Sequence, residues 1–433
     1  MSAPVAVVGL GKIGLPLAVQ AAGKGFRVHG ADISTEVAER VSAGLAPFPG
    51  EPGLRGRLRE AVQAGLLTAT TDTTAAVAAS DVVVVVVPLV TGPAGRPDFA
   101  AVDAATAAVA AGLRPGTLVS YETTLPVGTT RKRLAPALSV GSGLRHGRDF
   151  AVCHSPERVS SGRVFADLRR YPKLVGGIDS DSGARAEAFY EAVLDFDERA
   201  DLSRPNGVWN LGSAEGAELT KLAETTYRDV NIALANEFAR FAAAAGLDVF
   251  RVIEAANSQP FSHIHQPGIA VGGHCIPVYP WLYLAGDPGA RLPAVARQIN
   301  AAVPKQAVSL LTGLLGGLSG LRVAVLGAAY RGGVKETAFS GVFPIVAELA
   351  RRGAVPVVHD PLYSGCELGR LDLAPYRLGE PCDAVIVHTD HREYARLTPA
   401  DVPGVRALVD GRAITDPTVW EAIPRRVLGI GIS

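Results

Sequence analysis

The sequence predicts an α/β protein: two doubly wound parallel sheets joined by a long central helix. Three observations predict it. Short apolar runs alternate with helical patterns through the N-terminal part. One helical pattern, Ser213 to about Ala245, runs on without a break. The strand–glycine–helix theme then returns from Leu321. With 433 residues the chain exceeds what one core supports, so several domains are expected.

Taken in order, Val5–Val8 reads as a buried strand, Lys12 to Lys24 as a helix and Arg27–Ala31 as the second strand. Val82–Val87 is a continuous β-branched run, as a strand covered on both faces requires. Thr117–Tyr121 and Phe150–Val152 continue the series. Arg199 to Gly212, with Pro, Asn and Gly, reads as a domain boundary. In the long helix Ser213 is placed to cap the start, Glu215 lies in the first turn and Gly246 can end it. Its roughly 33 residues would span about 50 Å, long enough for a spine and a dimer surface. A second helix is expected over Pro293 to about Leu315. Arg322–Leu326 then Gly327, Val355–His359 then Asp360, and Ala384–His388 repeat the N-terminal theme. Ala328 and Ala329 follow Gly327, so this second sheet lacks a full glycine fingerprint and is read as not binding dinucleotide.

Composition narrows the function. Lys plus Arg and Asp plus Glu both number 42, so nothing draws the chain to nucleic acid or an anionic membrane. The longest apolar run, Val82–Val87, is far too short to span a bilayer. Cys153, Cys275, Cys366 and Cys382 are few and scattered, without metal-ligand spacing. A reducing, cytoplasmic setting and no metal are expected.

Two motifs carry chemistry. The first is Gly9-Leu10-Gly11-Lys12-Ile13-Gly14, directly after a strand and opening a helix. Its glycines allow a tight turn, close approach to a pyrophosphate and helix–strand packing. Asp32, at the end of the next strand, is set to accept from ribose hydroxyls. Ile33-Ser34-Thr35 offers no cation for a 2′-phosphate, so the expected cofactor is NAD, held in a Rossmann-like domain with Pro88 and Thr124 also in contact. The second motif is Gly272-Gly273-His274-Cys275-Ile276-Pro277, a stiff loop around one thiol. A thiolate can hold an aldehyde as a covalent adduct for further oxidation. Lys221, among Ala217, Leu222 and Thr225 on the spine, is a candidate cation for that site. Glu157, in His154-Ser155-Pro156-Glu157-Arg158, and Thr124 both lie just past strand ends, where ligands gather in open α/β sheets.

Together these motifs resemble the UDP-glucose / UDP-N-acetylhexosamine 6-dehydrogenase family. The resemblance rests on Gly9–Pro16, Thr123–Thr129, Ser155–Arg158, Glu218 to Glu237, Gly272–Val278, Ala296–Asn300 and Gly327–Ser340. The wording of Tyr227 to Glu237 is nearest the N-acetylhexosamine branch. The resemblance implies an NAD domain at 1–205, a central helical dimerisation domain at 206–315 and a nucleotide-sugar domain at 316–433. It implies that Cys275 forms a thiohemiacetal and then a thioester on the way from C6 alcohol to uronic acid. Lys221 would stabilise the oxyanion, while Thr124 and Glu157 handle water and protons. Glu157, Lys221, Thr225, Gly272, Tyr279, Tyr330 and Arg331 would line the substrate, in a homodimer formed through the central helix. The chain departs from the family where Asn is replaced by Thr225, Asp by Tyr279, and the family arginine by Ala338; Arg331 and Glu336 keep the charges of a lysine and an aspartate. These departures raise a second expectation: a two-electron oxidoreductase on an unusual nucleotide sugar, without the hydrolytic half. A third is a silent nucleotide-sugar scaffold.

Overall fold

The computed structural model describes residues 3–92 and 95–431. Two compact units emerge. One comprises the chain up to Ala223 with Trp281–Gly286; the other comprises Glu224–Pro280 with the chain from Asp287 onward.

The first unit holds an eight-stranded sheet. Its strands are β1 (Val5–Val8), β2 (Val28–Ala31), β3 (Leu67–Thr70), β4 (Val82–Val85), β7 (Leu118–Tyr121), β8 (Ala151–His154), β9 (Lys173–Gly177) and β10 (Val208–Asn210); β5 (Val90–Thr91) and β6 (Pro97–Asp98) form a separate small hairpin. The sheet order is β10-β9-β8-β7-β4-β1-β2-β3. Strands β1 to β8 within it run parallel, and the order reverses between β1 and β4, the switch point where ligands bind in such sheets. Strand β9 breaks the pattern by running antiparallel to β8. The stretch read as a boundary, Arg199 to Gly212, carries β10, which adds to this sheet beside β9. Apolar runs gave away β1 and β4 because both faces are covered: all their residues are buried.

The second unit holds a five-stranded parallel sheet of β11 (Arg322–Leu326), β12 (Val355–His359), β13 (Ala384–Val387), β14 (Ala407–Asp410) and β15 (Arg425–Val427). Its order is β12-β11-β13-β14-β15. This doubly wound arrangement switches direction between β11 and β13. The helix Arg291–Leu315 matches the second expected helix.

The spine helix, Ala214–Ala244, contributes to both units. Ser213 caps it through the Gly216 N–H at 3.1 Å. At its end Gly246 takes a left-handed φ of 72°, and the Leu247 N–H reaches back to Ala242 O at 2.8 Å. Among the described residues, no helix is long and apolar enough to cross a membrane.

Candidate active site

The glycine loop follows β1 at the switch point. Gly9 has φ +95°, and a Cβ there would lie 2.6 Å from Val86 O. A Cβ on Gly14 would lie 1.9 Å from Gly9 O, so the helix Gly14–Gly23 packs against the turn as only glycine permits. At Gly11 a Cβ would have nothing within 4 Å, which leaves the backbone face open to a ligand. Lys12 is exposed, Ile13 half-buried and Pro88, beyond β4, exposed. Asp32 follows β2 and aims its carboxylate at the loop: Oδ2 accepts from Leu10 N at 2.8 Å and Oδ1 from Ser34 N at 2.9 Å. Each oxygen retains a lone pair for a hydroxyl. Ser34 is occupied as the cap of the next helix, and Ile33 is 97% exposed. The loop therefore fits an adenine dinucleotide with free ribose hydroxyls.

Thr124, Glu157 and Lys221 lie in the same unit. Thr124 sits in the segment that leaves β7; its neighbour Thr123 donates to Val87 O at 2.5 Å, tying the segment to the end of β4. The far end of the segment is held from the spine: Glu218 accepts from Gly128 N (2.5 Å), Thr130 N (2.8 Å) and Thr130 Oγ1 (2.7 Å). Burial pushes the Glu218 carboxyl up to about 7 against the pull of these donors. Lys221 follows Glu218 by three residues, so both project from one side of the helix. It is only 5% exposed, so it is not a solvated surface lysine. Glu157, half-buried, lies three residues beyond the end of β8. Its Oε1 accepts from the N–H groups of Arg158 (2.6 Å) and Val159 (3.0 Å), while Oε2 meets Lys173 Nζ at 3.1 Å.

Thr225, Gly272, Cys275, Tyr279, Tyr330 and Arg331 belong to the second unit. Cys275 is half-buried and free of any disulfide, and its carbonyl accepts from Tyr279 N at 2.9 Å, starting the helix Tyr279–Gly286. Tyr279 thus stands one turn beyond the thiol. Tyr330 backs the loop: a Cβ on Gly272 would lie 2.5 Å from Tyr330 Cβ, and one on Gly273 3.2 Å from its ring. Gly273 N donates to Ala338 O at 2.8 Å, and Glu336, 3.6 Å from His274, completes the clasp. Arg331 is exposed, its guanidinium 5.8 Å from the Tyr330 ring centroid. Thr225 is buried one turn after Lys221 on the spine.

Sequence reasoning missed Glu122, Lys173 and Tyr190, which join Glu157 in one buried cluster. Tyr190 Oη donates to Glu122 Oε1 at 2.5 Å, and Lys173 Nζ lies 3.0 Å from Glu122 Oε2. The available signal was charge inside strand patterns: Glu122 at the end of one apolar run and Lys173 at the start of another.

A Rossmann-like sheet with a dinucleotide loop, in a chain that also carries a thiol loop and a second nucleotide-type sheet, defines an NAD-dependent oxidoreductase. Comparison with known proteins gives the family. Models of the UDP-glucose/GDP-mannose dehydrogenase family match in all three parts: the NAD binding domain at 3–194, the central domain at 215–301 and the UDP binding domain at 324–417. The chain is 37% identical over 421 residues to UDP-N-acetyl-D-mannosamine dehydrogenase of Pyrococcus horikoshii, covering 95% of each. The solved structure of that archaeon's UDP-D-ManNAc dehydrogenase superposes with TM-score 0.87 at 34% identity, covering 98% of this chain and 99% of that one. NDP-N-acetyl-D-galactosaminuronic acid dehydrogenase of Methanosarcina mazei gives TM-score 0.85 at 28% identity, covering 99% and 95%. The chain belongs to the UDP-glucose/GDP-mannose dehydrogenase family and is an NAD-dependent nucleotide-sugar dehydrogenase.

Proposed function

We propose that the chain oxidises the C6 alcohol of a UDP-N-acetylhexosamine, of the N-acetylmannosamine type, to the uronic acid through Cys275. The Cys275 loop carries this reading, in a chain whose full-length archaeal relative is a UDP-N-acetyl-D-mannosamine dehydrogenase. In this reading residues 1–205 bind NAD, 206–315 carry the thiol loop and the dimer helix, and 316–433 bind the nucleotide sugar.

Gly9, Gly11, Lys12, Ile13, Gly14, Asp32, Pro88 and Thr124 would hold NAD, which would supply the hydride acceptor for both oxidations. The chain's own residues do the rest. Glu157 and Thr124, through water, accept the proton leaving the C6 hydroxyl. The Cys275 thiolate adds to the aldehyde carbon and restores a tetrahedral centre that can be oxidised again. Lys221 donates to the developing oxyanion, with Thr225 beside it. Water ordered by Thr124 and Glu157 then cleaves the thioester, releasing the acid and the thiol. One alcohol, two NAD and one water yield one carboxylate, two NADH and three protons. Gly272, Tyr279, Tyr330 and Arg331 line the sugar nucleotide.

The working unit in this reading is a cytoplasmic homodimer. Tyr227, Leu234, Phe238 and Phe241 leave an exposed apolar stripe along the spine. On another side of the same helix lies a cavity of about 510 Å³ lined in part by Ala239, Ala243, Val303 and Leu310.

Tyr279 and Thr225 favour a second reading, oxidation by two electrons only. A phenol supplies no carboxylate to the thioester step at neutral pH. Stoichiometry decides: NADH is counted against product mass across UDP-, GDP- and dTDP-sugars. Two NADH per UDP-uronic acid, with Cys275→Ser stalled before the acid, is the expected result. One NADH and a carbonyl product would replace the first reading with the second.

A further inference from the structure

We propose that Glu122 and Lys173 are positioning residues: with Glu157 they form a buried carboxyl–ammonium–carboxylate triad that fixes the orientation and charge of the Glu157 side chain. The inference rests on the reading above that Glu157 handles protons.

Topology assembles the triad. Glu122 directly follows β7, and Glu157 follows β8 by three residues. Both therefore stand at the carboxyl edge of the sheet, where ligands bind. Lys173 reaches that edge only because β9 runs backwards. Its register pairs Cys153 with Gly177 and His154 with Gly176, which brings the start of β9 level with Glu157. A parallel strand would have put this lysine at the opposite edge.

The contacts are tight and dry. Lys173 Nζ lies 3.0 Å from Glu122 Oε2 and 3.1 Å from Glu157 Oε2, and the Lys173 and Glu122 side chains are 4% and 0% exposed. Lys173 also sits 4.8 Å over the Tyr190 ring. Two anions sharing one cation in such a place would leave a net buried charge, so one carboxyl is expected to take a proton. Glu122 is the one. Burial lifts it to about 7, against the pull of Lys173 and with a further push from Glu157. Burial also raises Glu157, but Lys173 and the Arg158 N–H overcome it and hold this carboxylate below its ordinary range. The remaining titratable groups facing Glu122 stay neutral: Cys153 is pushed up to about 12 by burial, and Tyr190 is raised well above 10 by burial. His154, which also feels Lys173, is pushed down to about 3 by burial.

While Glu122 holds its proton, the ammonium belongs mainly to Glu157, 3.1 Å away. When Glu122 ionises, it competes for Lys173 and loosens that hold. The triad ties the side chain assigned to proton handling to the interior of the sheet, and makes its setting depend on a group that never touches substrate.

Three variants in the full-length enzyme test this: Glu122→Gln, Lys173→Met with Lys173→Arg as the conservative partner, and Glu157→Gln. Each is followed as kcat and KM against pH, with NAD affinity as the folding control. The inference expects Glu157→Gln to lower kcat about 100-fold. Glu122→Gln should abolish the inflection of kcat near neutrality with both KM values unchanged. Lys173→Met should lower neutral kcat about tenfold and move the acid limb to higher pH, with Lys173→Arg restoring most of both. If Lys173→Met does not fold, the Glu122→Gln profile alone decides. Undiminished kcat in Glu157→Gln removes the role of Glu157 and the triad with it. Loss in Glu157→Gln alongside a wild-type pH profile in Glu122→Gln leaves the proposed function standing and overturns the triad.

Discussion

Gly272 and Gly273 are adjacent, yet different forces keep them glycine. Gly273 has φ +93°, a conformation costly for any L side chain. Gly272 needs no unusual backbone; its place is set by Tyr330, whose Cβ would be 2.5 Å from an added methyl group. The Tyr330 backbone, which sets the place of that Cβ, is pinned: its N–H is held by Glu336 O at 3.0 Å and its carbonyl by Arg412 at 3.3 Å. Gly272→Ala should therefore move the thiol loop rather than the tyrosine. We expect kcat/KM for the nucleotide sugar to fall about 100-fold, with NAD affinity unchanged and stability lower by about 1–3 kcal/mol. Wild-type turnover in the Gly272→Ala enzyme would show that the loop tolerates displacement.

At the scale of elements, the spine helix poses the sharpest question. Tyr227, Leu234 and Phe241 recur every seven residues and Phe238 widens the stripe; Phe241 is 67% exposed. Such a stripe on a lone chain is unusual, and in the proposed homodimer it is the face that the second copy would cover. Covering a phenylalanine stabilises by about 1.5–3 kcal/mol, and two-fold symmetry would count each residue twice. If the proposed homodimer forms through this helix, the wild type should sediment as a dimer at micromolar concentration and Phe241→Glu as a monomer, with the helical circular dichroism retained. A variant that sediments as wild type would place the interface elsewhere. The helix itself was legible in sequence, as were β1, β4, β11 and β13, because burial on both faces writes itself as an apolar run. Other elements were not. Strand β3 reads Leu67-Thr68-Ala69-Thr70 with little apolar signal, β15 begins with two arginines, and β9 ends in two glycines. The direction of β9 cannot be read from composition at all, so Lys173 looked like any strand-edge charge. Cys275, Lys221 and Glu157 stood in recognisable local wording, whereas Glu122 and Lys173 acquire meaning only from register.

At the scale of the whole molecule, one turn is used twice to opposite ends. Gly9 N donates to Ala31 O at 2.8 Å, and Gly327 N to His359 O at 2.7 Å; both glycines have positive φ, +95° and +110°. Each is followed, one strand later, by an aspartate that reaches back to the turn. In the first sheet Asp32 takes one loop N–H and the space at Gly11 stays open. In the second, Asp360 takes two, from Ala328 at 2.8 Å and Ala329 at 2.9 Å, and also accepts from His391 Nε2 at 3.1 Å. Both alanines are fully buried. The protein's own carboxylate thus takes both N–H groups of this turn and ties it into the packing of the sheet. Asp32→Ala should therefore weaken NAD binding at least about tenfold while changing stability by under about 1 kcal/mol. Asp360→Ala should leave NAD affinity intact and cost about 2–4 kcal/mol, because it strands two buried N–H groups. The pH dependence separates this from a generic packing loss. Burial raises the Asp360 carboxyl, but His391 and the N–H groups of Ala329 and Leu362 outweigh it and hold it below its ordinary value. A carboxyl depressed on folding contributes stability that is complete above its unfolded pKa of about 4 and is lost as pH falls through the folded value. The gap between wild type and Asp360→Ala, read from urea unfolding and hydrogen exchange in Arg322–Leu326, should be constant from about pH 5 to 7 and narrow below about pH 4. A gap that persists unchanged to about pH 3 would mean that Asp360 acts there by shape rather than by charge.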